Sequence, residues 1–142
     1  MWITEQLPNL CIAAKLEKIH KRAARFVTGN YSLTPGSTLT NMGKLGWVPL
    51  SERRARLKII TLRKAYSRVI EIPLDDLTPV GRATRHNTGN FQIPQSSVDS
   101  HLHSFFPSTL RLWNNLPQRT KACESIASLT LELKSQTLRD TY

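Results

Sequence analysis

Cysteine is scarce in this chain, with two residues in 142, Cys11 and Cys123, 112 positions apart. The opening Met1-Trp2-Ile3-Thr4-Glu5 has no basic-then-apolar leader, so this usage speaks for buried thiols rather than a disulfide framework. Long apolar runs are missing too, and none approaches the ~20 residues of a membrane-spanning helix. The expectation is an intracellular chain, nuclear or cytoplasmic, with no membrane partner. Acidic residues are also few: 10 Asp+Glu face 20 Lys+Arg, for a formal net charge of +10. No internal repeat or low-complexity tract is present, and a length of 142 residues favours one domain over two.

Signatures of catalysis are lacking as well. There is no Gly-x-Ser-x-Gly elbow and no Gly-rich phosphate loop. Asp75-Asp76 is an acidic doublet, but Pro73 and Pro79 bracket it and oppose the strand pairing of a polymerase-type metal hairpin. It reads as a solvated turn. His101 and His103 want two further ligands, and neither cysteine has a Cys-x-x-Cys partner. The expectation is a chain that is not an enzyme, with no cofactor and no metal.

What is present is concentrated positive charge. Residues 15–68 hold thirteen cations against only Glu17 and Glu52, a local excess of +11, whereas residues 69–142 sum to zero. A charge that serves solubility is spread, with both signs mixed. A site for a polyanion is concentrated.

Hydrophobic periodicity predicts a mainly α fold. Over 10–28, Ile12, Leu16, Ile19, Ala23 and Phe26 recur at helical spacing, with Lys15, Lys18, Arg22 and Arg25 on another side and Lys21 beside them. Gly29-Asn30 is a stop signal. Glycines and prolines over 30–49 leave room for a short helix near 38–45. A second long helix is predicted over 50–70, where Ala55, Ile59, Leu62, Tyr66 and Val69 repeat the spacing. Residues 72–89 read as a Pro/Gly-rich linker or loop, and Phe91-Gln92-Ile93 as a short strand or extended segment. Aromatic residues and prolines over 104–117 predict a two-turn helix from Pro107. A last helix is predicted over 124–138. The expected layout is therefore a tail (1–9), a basic helical part (10–71), the linker, and an aromatic and C-terminal part (90–142) packed with the basic part as one domain. Phe26, Leu62, Tyr66, Phe105 and Trp113 are the predicted buried anchors.

Three segments, Leu16–Val27 (LEKIHKRAARFV), Leu45–Arg54 (LGWVPLSERR) and Ser104–Pro117 (SFFPSTLRLWNNLP), occur in an order and at a spacing that carry a family likeness. Together they resemble the C-terminal region of non-LTR (LINE-type, jockey and chicken-repeat-like) retrotransposon reverse transcriptases. The likeness spans roughly residues 14–134, and residues 1–13 fall outside it. His20-Lys21, Ser108 and Val48-Pro49 depart from the family's usual residues. The resemblance implies the tail that follows the polymerase, without the endonuclease and polymerase domains, and a role in holding RNA or DNA.

The candidate nucleic-acid-binding residues are Lys15, Lys18, Lys21, Arg22, Arg25, Arg53, Arg54, Arg56, Lys58, Arg63 and Lys64. Lysine and arginine neutralise phosphates and release counterions, which gives affinity with little choice of sequence. Arginine adds bidentate grip. Trp47, Phe105, Phe106 and Trp113 are read as core rather than stacking platforms, given their apolar company. The expected partner is RNA or DNA through its backbone, with the missing polymerase domain as a second. The alternatives are a helix-mediated protein–protein module, or a decayed retroelement remnant with no function of its own.

Overall fold

The computed structural model describes residues 7–74, 77–80, 89–95 and 98–138. Among them the chain is mainly α-helical: α1 (Leu7–Thr28), α2 (Ser37–Lys44), α3 (Leu50–Tyr66), α4 (Asp99–Leu102), α5 (Phe105–Asn114), α6 (Gln118–Lys121) and α7 (Ile126–Lys134). The segment at 91–93 forms no strand; it makes an isolated antiparallel bridge from Phe91 to Pro79. Asp75, Asp76 and residues 81–88 of the linker lie outside the described residues. The chain divides into two compact units, Met1–Arg53 and Arg54–Tyr142. That boundary falls inside α3, where no shift in composition marks it.

In the first unit α1 begins at Leu7, three residues before the predicted start, and stops where Gly29 turns left-handed at φ 64°. Its apolar stripe is not its packing face. Ile12, Leu16, Ile19 and Phe26 are exposed, Phe26 to 74%, which corrects the expected burial. The contacts come instead from a face turned roughly 100–140° around the helix. There Ala24 is fully buried, His20 stacks on Trp47 at 5.1 Å, and the Glu17 carboxylate accepts the Leu50 backbone N–H at 3.1 and 3.3 Å. That N–H is one of the unsatisfied donors that open α3, so an acidic side chain from α1 caps it and meets the positive end of its dipole. Asn41, fully buried, donates to the Asn30 carbonyl and accepts from the Asn30 amide, both at 3.0 Å. The reason for the reversal is size: α2 has eight residues, with Met42 its one large buried apolar side chain. Such a partner cannot cover a stripe about four turns long, and satisfied polar contacts set the helix rotation instead.

The second unit has the larger core. Ala55, Ile59 and Leu62 of α3 pack with Leu110, Leu112 and Trp113 of α5, then Leu116, and Leu129 and Leu133 of α7. The stripe predicted through Val69 ends early, because α3 closes at Tyr66. The Arg68 N–H bonds to the Ala65 carbonyl and the Val69 N–H to the Lys64 carbonyl, both at 2.9 Å, with Arg68 left-handed at φ 54°. This is a Schellman closure with arginine where glycine is usual. It leaves Tyr66 54% and Val69 60% exposed, which corrects the predicted burial of Tyr66.

The Trp-Asn pair of the third segment has a structural task. The Trp113 indole N–H donates to the Gly89 carbonyl at 2.9 Å. Asn114 takes the Phe91 N–H at 3.0 Å and donates to the Phe91 carbonyl at 2.8 Å, in the manner of a neighbouring strand. Lys121 adds bonds to the Asn90 side chain at 2.6 Å and the Asn114 carbonyl at 2.8 Å. Two adjacent side chains thereby hold residues 89–91 against α5, so neither position tolerates a different polar geometry. Phe105 and Phe106, in edge-to-face contact at 5.3 Å, are half-buried.

Candidate nucleic-acid interface

The eleven cations singled out by sequence separate into two groups once their partners are known. In the first unit Lys15, Lys18, Lys21 and Arg22 are exposed on α1. None of the four makes a hydrogen bond or ion pair with a described residue. They fall within eight residues, about 10 Å of helix axis at 1.5 Å per residue step. Arg53 is exposed as well. Glu17, the carboxylate nearest to them in sequence, is committed to the Leu50 N–H. Arg25 is engaged: its Nε and Nη2 donate to the Thr38 hydroxyl at 3.3 and 2.8 Å, tying α1 to α2.

In the second unit two arginines serve the fold. Arg63 donates through Nη2 to the carbonyls of Cys123 and Glu124 at 2.9 and 3.2 Å. Arg56 reaches the carbonyls of Lys134 and Gln136, both at 3.4 Å, at the C-terminal end of α7. Cations favour that end, where carbonyls lack intrahelical donors and the dipole is negative. The sequence carried a signal for this: positions 56 and 63 are seven apart and lie roughly 70–90° from the Ile59–Leu62 stripe, at the margin of the buried face. Arg54, Lys58 and Lys64 are half-buried. Alanine in place of Arg63 is expected to cost about 1–3 kcal/mol in urea denaturation, from the loss of charge-assisted bonds to two carbonyls.

Lys121 and Arg119 went unremarked at the sequence level, lying in the part of the chain with no net charge. Arg119 pairs with Glu132 at 2.7 Å. Burial pushes the Lys121 ammonium below its usual value of 10.5. The unfolded chain then holds that proton to higher pH than the folded one. This group's contribution to stability therefore rises as pH climbs through the lowered value toward 10.5.

Among the described residues no three of His, Cys, Asp and Glu come together to hold a metal ion. Cys123 is a free thiol and half-buried. No described helix is long and apolar enough to cross a membrane. No protein-family model, curated protein or solved structure matches the chain.

Proposed function

We propose that this chain is a non-catalytic, nucleic-acid-binding tail of a retroelement reverse transcriptase, acting inside the cell on the RNA or DNA backbone. The observation that carries the reading is the row Lys15, Lys18, Lys21 and Arg22, exposed on α1 and engaged by no described residue. Ammonium and guanidinium groups that face water without a carboxylate partner exchange counterions for phosphates at no cost in broken ion pairs. Arg53, exposed in the same unit, extends the supply, whereas Arg25, Arg56 and Arg63 hold the fold. The likeness of the three segments to the retrotransposon tail agrees with this partner. Backbone contacts do not read bases. Fluorescence anisotropy on two unrelated single-stranded oligonucleotides of equal length should therefore give micromolar affinities within about threefold of each other. A large preference for one of them contradicts the reading.

One observation favours a second reading. The exposed stripe Ile12, Leu16, Ile19 and Phe26 is the type of face that a helix-mediated protein–protein module lays into an apolar groove. A reverse-transcriptase polymerase domain is the partner this reading implies. Association through that stripe would strengthen with salt, and association through the cations would weaken.

A further inference from the structure

A cavity of about 350 Å³ opens in the second unit, walled by Leu62, Tyr66, Phe91 and Trp113, with Arg63 and Lys121 also lining it. Its size is at the lower end of the range for small-ligand pockets. Three aromatic rings meet along the wall: Tyr66 is edge-on to Phe91 at 5.7 Å, and Phe91 lies 6.3 Å from Trp113. Phe91 and Trp113 are buried, but half of Tyr66 faces solvent, so its ring offers open aromatic surface at the cavity.

The charged part of the lining is cationic, with Gln118 a neutral polar neighbour. No carboxylate lies among the residues that form it. The Arg63 Nε–H is shut off from solvent and its Nη2 serves the Cys123 and Glu124 carbonyls, so the donor open to an occupant is Lys121. The Lys121 ammonium has three donors, two of them used on Asn90 and Asn114. An occupant that suits the wall is flat and apolar over its face, and one that suits the lining cations is an anion. A planar ring alone would leave the third Lys121 donor unused, and a bare phosphate would leave the aromatic wall empty.

We propose that this cavity binds a single nucleotide, its base against Tyr66 and its phosphate on Lys121. The inference rests on the nucleic-acid reading and deepens it. Stacking in the cavity would add to affinity a contact that phosphate tracking does not supply.

The test uses the full chain, ¹⁵N-labelled, titrated separately with adenosine 5′-monophosphate, uridine 5′-monophosphate, adenosine and ribose 5-phosphate. The Trp113 indole N–H, bonded to Gly89 at the cavity, is the reporter. Both nucleotides should shift that signal and the Gly89 amide with millimolar or better affinity, and adenosine and ribose 5-phosphate should each bind at least fivefold more weakly. Tyr66→Ala, at an exposed position that should not disturb folding, should weaken nucleotide binding about tenfold. Lys121→Gln should do so as well. Ribose 5-phosphate matching the nucleotides, no shift at Trp113, or a Tyr66→Ala protein that binds as the parent does would overturn the proposal. The two ideas fail separately. An oligonucleotide bound with no nucleotide shift at Trp113 removes the cavity and keeps the α1 surface. A nucleotide bound at Trp113 by a protein that ignores oligonucleotides does the reverse.

Discussion

Replacing Trp113 with alanine should destabilise the second unit by about 3–5 kcal/mol, the usual cost of deleting a large buried aromatic side chain. The ring is 5% exposed and sits in the cluster that joins α3, α5 and α7. Its removal leaves a void among Leu62, Phe91 and Leu110 and strips the Gly89 carbonyl of the indole donor. A small domain holds only about 5–15 kcal/mol in total, so the loss is a large share. Urea denaturation followed by circular dichroism, which does not rely on tryptophan, measures it. Trp113→Phe separates the two contributions, since it keeps most of the volume and loses the N–H; about 1–2 kcal/mol is expected there. A Trp113→Ala protein as stable as the parent would mean that residues 89–91 are not held by this side chain.

The largest effect on binding belongs to α1. Changing Lys15, Lys18, Lys21 and Arg22 together to Gln removes four exposed cations that make no hydrogen bond or ion pair with a described residue. Stability should move little, since exposed positions away from packing tolerate substitution. Affinity for single-stranded RNA in about 0.1 M salt should fall by roughly two to three orders of magnitude, each lost contact removing about 0.7 of a decade. The comparison protein is Arg25→Ala. Its guanidinium serves Thr38, so it should lose stability and keep most of its affinity. Anisotropy titrations of the two variants beside the parent give the contrast, and equal losses in both would dissolve the distinction between free and engaged cations.

Helix positions were readable in the sequence because period and punctuation agreed, as with the Gly29 stop and the Ile59–Leu62 stripe of α3. Helix rotation was not. An apolar stripe gives a preferred face only if a partner of sufficient area exists, and α2 offers little beyond Met42. Tyr66 escaped burial through the backbone, with Arg68 accepting a left-handed turn that its side chain does not favour. At the candidate site, which residues are cations was plain, but what each cation does was not. Arg56 and Arg63 look like phosphate ligands until the carbonyls of residues 134, 136, 123 and 124 arrive from some 60 to 80 positions away. The motif Trp113-Asn114 was legible as unusual, and its task of clasping residues 89–91 was legible only in three dimensions.

The most direct measurement is the salt dependence of the parent protein on single-stranded RNA. Five free or exposed cations, the α1 four and Arg53, should give log K against log salt a slope near −3.5, at about −0.7 per phosphate on a single strand. In the α1 variant the slope should flatten to about −1 or less. A parent slope near zero, or a slope that the variant leaves unchanged, would contradict the assignment of α1 as a phosphate-tracking surface.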